Sequence, residues 1–120
     1  MSRFYVIPGK PVGYVRTTRT SKFHDPRYKK YAAYKGKIQL LLGVDIDFWK
    51  AHAADKKKIR VTTFSYFEHD GSRPDAENVQ KGVCDAIFYK CKRGDRNVCG
   101  AYDFGFDKWN PRVEIRVELA

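Results

Sequence analysis

The stretch Ile59-Arg-Val-Thr-Thr-Phe-Ser-Tyr-Phe67 is the part of the sequence that is most informative about the fold. It is dominated by β-branched and aromatic residues, which are typical of a β-strand. Because apolar residues fall at both odd and even positions, we expect a strand that is covered on both faces and lies centrally in a sheet.

The segments after this strand predict a helix and two more strands. Residues 70–74 are rich in turn formers, and a helix is expected to begin at Asp75 and to reach about Tyr89. Its apolar stripe consists of Val79, Val83, Ala86 and Ile87. Apolar and charged residues alternate strictly in 113–119, which indicates a half-buried strand. We expect residues 98–106 and 112–119 to form a closing hairpin.

The segments before Ile59 predict one strand and one long helix. Residues 3–7 are β-rich and are followed by Pro8 and Gly9, which end the strand. Asp25 and Pro26 are a favourable N-cap and first position for a helix. The residues expected on its buried face are Tyr31, Tyr34, Ile38 and Leu41. Between 44 and 57 we expect no more than a short helical turn.

The predicted order is therefore β-α-β-α-β-β, with two main helices on a mixed β-sheet, in the α+β class. A chain of 120 residues is long enough for one hydrophobic core, so a single domain over residues 1–120 is expected. The longest apolar runs fall far short of the roughly 20 residues needed to cross a bilayer, and no secretory signal is recognisable. The three cysteines are interpreted as reduced thiols.

The charge balance predicts a polyanionic partner. The chain has 24 Lys and Arg against 14 Asp and Glu, which gives a formal net charge of +10. Many of the cations lie in the segment that precedes and opens the first helix, among small hydroxyl residues that suit phosphate oxygens. The candidate DNA-binding residues are Arg16, Arg19, Lys22, Arg27, Lys29, Lys30 and Arg73.

The second helix carries the residues with the clearest chemical potential. Asn78, Lys81 and Asp85 follow each other at helical spacing on one flank, while Asp75 and Glu77 lie at the N-terminal end. Magnesium takes hard oxygen ligands, usually one or two carboxylates together with waters and phosphate oxygens. A neighbouring lysine can neutralise charge in a phosphoryl transition state or orient the attacking water.

An ordinary structural interpretation of the same residues is open at this point. Asp75 is a normal N-cap residue, and Glu77 in the first turn is favoured by the helix dipole alone. Lys81 and Asp85 are spaced for a surface ion pair worth a few tenths of a kcal/mol.

The sequence resembles the RusA-type Holliday junction resolvases of bacteria and their prophages. The resemblance is carried by Pro74-Asp-Ala-Glu-Asn-Val-Gln-Lys81, then Asp85, then Gly94-Asp95-Arg-Asn-Val98. It extends to Ile7-Pro-Gly-Lys-Pro11, to an arginine-bearing loop and to Pro26-Arg-Tyr-Lys29, which resemble the phage-type members. It therefore covers most of the chain in the same order.

The resemblance implies a dimeric endonuclease that binds four-way DNA junctions and nicks two opposing strands symmetrically with Mg²⁺ or Mn²⁺. By position, Asp75, Glu77 and Asp95 are expected to bind the metal and Lys81 to be a catalytic cation. Asn78 and Asp85 are expected to support the site. Glu77 stands where the family usually has Asp, and Gly94 where an acid often precedes the equivalent of Asp95. The implied location is the cytoplasm of a bacterial or phage-infected cell, in DNA recombination and repair.

Two other functions fit parts of the sequence. A non-catalytic basic nucleic-acid-binding module explains the charge, but it leaves the acidic cluster next to a polyanion without a purpose. A nuclease that prefers other branched DNA, such as flaps or forks, uses the same residues as the resolvase. Nuclease folds with Pro-Asp followed by Glu-x-Lys, or with a His-Asn-His finger, lack their remaining residues here.

Overall fold

The chain forms one four-stranded mixed sheet with helices packed against it. The computed structural model describes residues 1–16, 24–91 and 96–120. The strands are β1 (Ser2–Pro8), β2 (Ile59–Phe67), β3 (Val98–Phe106) and β4 (Arg112–Leu119). The helices among the described residues are α1 (Pro26–Leu42), α2 (Asp45–Ala54) and α3 (Ala76–Ile87). This confirms the predicted α+β class and the approximate order of elements.

The order of strands in the sheet is β1-β4-β2-β3, which contradicts the predicted hairpin of β3 and β4. β3 runs parallel to β2, with Ile59 opposite Val98, whereas β4 lies between β1 and β2 and is antiparallel to both. The physical reason lies in burial. Val113, Ile115 and Val117 of β4 are fully buried, which favours an interior place in the sheet, whereas most of β3 is exposed and suits an edge.

β2 occupies the interior position that was predicted, but it is not covered equally on both faces. Its odd-numbered residues are buried under the helices, whereas the even-numbered ones are half-buried or exposed. On the uncovered face the rings of Phe64 and Tyr66 are 4.6 Å apart, and the Arg112 guanidinium lies 3.8 Å from the Tyr66 ring. Contacts between neighbouring side chains thus replace the second layer that was expected on this face.

α1 begins as predicted. The carboxylate of Asp25 accepts a hydrogen bond of 2.9 Å from the Arg27 amide, and Pro26 is the first helical residue. Of the four residues expected on the buried face, Tyr31, Tyr34 and Ile38 are buried, whereas Leu41 is 50% exposed. The helix runs on to Leu42, which takes the buried position instead.

α2 is a helix of ten residues where only a short turn was expected. Its stability comes from tertiary contacts. The Trp49 side chain is fully buried, and its Nε1 donates a hydrogen bond of 3.1 Å to the hydroxyl of Tyr5 on β1. That hydroxyl donates in turn to Asp45 at 2.7 Å. Burial and the contact with Asp45 raise the pKa of Tyr5 to about 12, against the lowering effect of the Trp49 donor, so the phenol stays protonated at neutral pH.

α3 buries the predicted apolar stripe and adds one buried polar residue. Gln80 accepts a hydrogen bond of 2.5 Å from the Thr63 hydroxyl and donates one of 3.1 Å to the Val61 carbonyl. Its amide lies directly over Gly100 of β3, where an added Cβ would be 2.1 Å from the Gln80 nitrogen. Gly100 therefore allows the close approach by which Gln80 holds α3 in position over β2 and β3.

Candidate active site

The N-terminal end of α3 presents a carboxylate that its own helix does not use. Asp75 occupies the N-cap position, but its side chain makes no capping hydrogen bond. The residue is exposed, and only its backbone carbonyl contributes to the helix, by accepting from the Val79 amide. Asp25, by contrast, caps α1 with its carboxylate, which accepts a hydrogen bond from the Arg27 amide. Asp75 therefore has both oxygens available for a ligand.

The other predicted residues of this end of α3 lie around Asp75. Glu77 and Lys81 are exposed, and neither forms an ion pair with another described residue, whereas Asn78 is half-buried. Two carboxylates thus lie within one helical turn, and a cation follows one turn further along the flank that begins at Asn78. The ordinary structural interpretation predicted an ion pair between Lys81 and Asp85. This pair does not form, because Asp85 is paired with Lys35.

The segment between β1 and α1 packs along this flank of α3. A Cβ at Gly13 would lie 2.9 Å from the Pro74 side chain, so the approach depends on glycine. The next amide, that of Tyr14, donates a hydrogen bond of 3.0 Å to the Asn78 carbonyl. The exposed Arg16 follows two residues later. The start of the basic segment is thereby fixed beside the acidic end of α3.

Asp85 lies apart from the other predicted site residues. Ten residues separate it from Asp75, or about 15 Å along a helix. Its Oδ2 accepts a hydrogen bond of 2.6 Å from the Tyr31 hydroxyl and lies 2.8 Å from the ammonium of Lys35. Burial raises the pKa of the Tyr31 phenol, and the hydrogen bond to Asp85 raises it further. These contacts join α3 to α1.

Asp95 lies outside the described residues, so its part in the site stays a prediction. Next to it in the chain, Arg96 and Asn97 are described. The Asn97 carbonyl accepts from the Ile59 amide at 3.0 Å, and its side chain donates to the Ala53 carbonyl at 3.3 Å. These contacts lie at the beginning of β2, about 26 Å along that strand from its end near Asp75.

The predicted DNA-binding cations differ in their availability. Arg16, Lys29 and Lys30 are exposed, while Arg19 and Lys22 lie outside the described residues. Arg27 is bound to Asp25 at 3.0 Å, and this contact holds the pKa of the Asp25 carboxyl below its usual value.

Arg73 is more constrained than the other cations. Its guanidinium is 2.8 Å from Asp70 and stacks on Phe104 at 4.3 Å and on Phe67 at 5.0 Å. It is therefore held in place at the end of the sheet that carries Asp75.

A cleft of about 290 Å³ opens beside the N-terminal end of α3. It lies between the β2–α3 loop, the residues after β1 and the first turns of α1. Two predicted cations, Lys30 and Arg73, line it, together with Lys10 and His69, which were not predicted from the sequence. Lys10 is 71% exposed and forms an ion pair of 3.1 Å with Glu68. Lys10 could have been predicted from the sequence, because it lies in the stretch Ile7 to Pro11, which resembles the family.

The carboxylates present fit a magnesium ion in part. Among the described residues, no group of three His, Cys, Asp or Glu side chains lies close enough together to hold a metal. Asp75 and Glu77 nevertheless meet the requirement of Mg²⁺ for one or two carboxylates, the remaining ligands being waters and substrate oxygens. Both are exposed at the same helix end, where a phosphodiester can reach them.

Comparison with known families identifies the family of the chain. The model of the family described as endodeoxyribonuclease RusA matches residues 8–118 of the 120-residue chain. The chain belongs to the RusA endodeoxyribonuclease family. Membership of the family makes the chain an endodeoxyribonuclease and implies an enzyme that resolves Holliday junctions.

Other comparisons add little to the family assignment. No curated protein matches the chain. Within the part of the chain that the structure describes, no helix has the length and apolar character needed to span a membrane.

Proposed function

We propose that this RusA family member is a Mg²⁺-dependent endodeoxyribonuclease, also active with Mn²⁺, that binds four-way junctions and nicks opposing strands symmetrically. The observation that carries the proposal is the pair of exposed carboxylates, Asp75 and Glu77, at the start of α3, with no described partner. A carboxylate pair on a protein of net charge +10 is expected to weaken DNA binding unless a cation lies between acid and phosphate.

Each residue of the site has a proposed role. Asp75, Glu77 and Asp95 hold the metal, which supplies Lewis-acid activation of the scissile phosphate and of the attacking water. Lys81, exposed one turn beyond Asn78, neutralises charge that develops on the phosphate oxygens. Asn78 supports the site through its carbonyl, which anchors the Tyr14 amide.

Asp85 has a proposed role at a distance. It is a positioning residue, since its contacts with Tyr31 and Lys35 fix α3 on α1. Through the helix, this contact determines where Asp75 and Lys81 stand relative to the basic segment.

The basic residues around the site are proposed to bind the DNA backbone. They are Arg16, Arg19, Lys22, Arg27, Lys29, Lys30 and Arg73. Contacts of this kind carry no sequence information and weaken steeply as salt is raised. Selectivity for the junction is then expected from the shape of the branched DNA and the ease with which it is deformed.

We also propose that the enzyme acts as a homodimer in the cytoplasm of a bacterial or phage-infected cell, in recombination and repair. A junction has cleavage sites related by a two-fold axis, and a C2 dimer presents two equal sites in the same arrangement. Asn97, two residues after Asp95 in the chain, lies at the beginning of β2, about 26 Å along that strand from its end near Asp75, which favours a metal site to which two copies of the chain contribute.

The test is cleavage of a synthetic four-way junction, with a fork and a flap as competing substrates. Wild type is expected to make paired nicks with Mg²⁺ and none with chelator. Asp75→Asn is expected to abolish the nicks while junction binding persists, and Asp47→Asn, an exposed carboxylate on α2, to cut like wild type. Cleavage by Asp75→Asn at the wild-type rate would contradict the site, and salt-sensitive binding without any cleavage would favour a non-catalytic module.

A further inference from the structure

The connection between β3 and β4, residues 107–111, exposes a large aromatic ring to solvent. We call this connection the Trp109 loop. Trp109 is 88% exposed, more than any other large apolar side chain among the described residues, whereas the other tryptophan, Trp49, is fully buried. A ring left in water contributes little to the stability of the fold, and tryptophan is the side chain that most often supplies binding energy in contacts with other molecules.

The Trp109 loop is fixed by the carboxylate of Asp107. Its Oδ1 accepts hydrogen bonds from the amides of Trp109 at 3.2 Å and Asn110 at 3.1 Å. Its Oδ2 accepts one of 2.9 Å from Arg112, which also stacks on the Tyr66 ring. The hydrogen bond from Arg112 holds the pKa of the Asp107 carboxyl below its usual value, so these contacts persist at neutral pH. The backbone that carries Trp109 is thus ordered in advance, which lowers the entropy lost when the ring binds a partner.

The loop lies at the end of the sheet where the candidate active site lies. It crosses the end of β2, where the Asp107 amide donates a hydrogen bond of 2.8 Å to the Phe67 carbonyl. On the other side, the Pro111 carbonyl accepts one of 3.0 Å from the Gly9 amide, next to Lys10 of the cleft. Trp109 is therefore held on the same end of the molecule as the cleft beside α3.

The charges around Trp109 favour a nucleic acid as its partner. The Lys108 ammonium lies 5.2 Å from the centre of the Trp109 ring. The Arg73 guanidinium lies 6.0 Å from the ring of Phe106, which directly precedes the loop, and Arg73 precedes Asp75 by two residues. Proteins that bind unpaired bases combine such groups, because the ring stacks on the base while the cations bind the phosphates.

We propose that Trp109 stacks on a base exposed at the branch point of the DNA, and that this contact makes the enzyme prefer branched over linear DNA. Bases inside a linear duplex are stacked on both faces, and separating them costs free energy that an interrupted stack does not require. Trp109 is in this sense a specificity-determining residue beside the site of cleavage. The inference deepens the proposed function and rests on it for the branched substrate.

Binding of a four-way junction and of a linear duplex of the same sequence tests the contact. Both are measured with chelator present, so that neither DNA is cut. Trp109→Ala is expected to raise the Kd of the junction about tenfold and that of the duplex by less than about twofold, because one stacking contact is lost only on the junction. Trp109→Phe keeps a ring and should retain part of the preference. Circular dichroism checks that both variants fold.

Two control variants separate stacking from charge and from exposed apolar surface in general. Lys108→Ala is expected to weaken binding of the junction and the duplex equally, because a phosphate contact does not depend on the branch. Leu40 is 82% exposed on α1, about 15 Å along that helix from Lys30 of the cleft. Leu40→Ala should bind both DNAs like wild type.

Tryptophan fluorescence is a second measurement on the unaltered protein. Trp109 is exposed and Trp49 is buried, so a base in contact with the protein surface can quench only Trp109. The junction is expected to quench wild type more strongly than the duplex does. Trp109→Phe, which keeps only the buried tryptophan, should show no quenching by either DNA.

An equal loss of affinity for junction and duplex in Trp109→Ala, or no loss for either, would overturn the inference and leave the proposed function intact. A changed mass of Trp109→Ala in sedimentation equilibrium, with both affinities unchanged, would also overturn it, because the ring would then contact another protein chain. A wild type without any preference for the junction would contradict the branched substrate and this inference together. Neither measurement involves cleavage, so failure of the catalytic site is recognised separately with Asp75→Asn.

Discussion

Replacing Asp85 with alanine removes the acceptor through which α3 is attached to α1. In the wild type, the same oxygen accepts from the Tyr31 hydroxyl at 2.6 Å and lies 2.8 Å from the Lys35 ammonium. Tyr31 is 2% exposed and the Lys35 side chain 14% exposed, so water replaces the lost partner poorly. A hydrogen bond to a charged acceptor contributes about 1.5 to 3 kcal/mol, and a partly exposed ion pair up to about 1 kcal/mol. We expect the free energy of unfolding to fall by about 2 to 4 kcal/mol.

Urea denaturation of a double-mutant cycle with Tyr31→Phe measures this contact directly. Tyr31→Phe alone is expected to cost about 1 to 2 kcal/mol, and the double variant should lose at least about 1 kcal/mol less than the sum of the two. Asp55→Ala, which removes an exposed carboxylate, should change stability by no more than about 0.5 kcal/mol. Additive losses within about 0.5 kcal/mol would mean that Tyr31 and Asp85 do not stabilise the fold through this hydrogen bond.

Three further predictions concern groups in the core or in contact with it. Gly100→Ala should lower the free energy of unfolding, measured by urea denaturation, by about 2 kcal/mol, because the added Cβ would displace the Gln80 amide. When Gln80→Ala is present in the same chain, most of this loss should disappear. Fully additive losses would contradict the contact. Tyr34→Phe removes a buried hydroxyl that has no described hydrogen-bond partner. The free energy of unfolding should therefore stay unchanged or rise by up to about 1 kcal/mol, and a clear loss of stability would mean that the hydroxyl has a partner. Burial raises the pKa of Tyr34 and of Tyr5, the latter to about 12, so above pH 10 the unfolded chain loses protons that the folded one keeps. Stability measured by circular dichroism should therefore decline from about pH 10 upward, and a flat profile would be inconsistent with it.

Local sequence patterns identified the elements that depend on neighbouring residues. The apolar stripe of α3 and the Asp25 cap of α1 both follow from residues within a few positions of each other. The interior place of β2 followed from its β-branched and aromatic composition, although the uncovered face did not, because stacking of Phe64 on Tyr66 shields apolar surface without a second layer.

Features that depend on distant residues could not be predicted in this way. Adjacent strands in a chain often form a hairpin, and nothing local to β3 and β4 shows that β4 is inserted between β1 and β2. Asp85 has a lysine four residues away and another fifty residues away, and the structure pairs it with the distant Lys35. The spacing of residues along one helix shows only that Lys81 could pair with Asp85. It gives no information about a lysine of the same charge on another helix.

Binding of Mn²⁺ at the end of α3 shows directly whether Asp75 and Glu77 hold the catalytic cation. Electron paramagnetic resonance measures free and bound Mn²⁺ in the presence of a junction made uncleavable by substitution at the scissile phosphates. We expect Asp75→Asn and Glu77→Gln each to weaken Mn²⁺ binding by at least about tenfold, while Asp47→Asn binds like wild type. Wild-type affinity in both site variants would contradict this prediction.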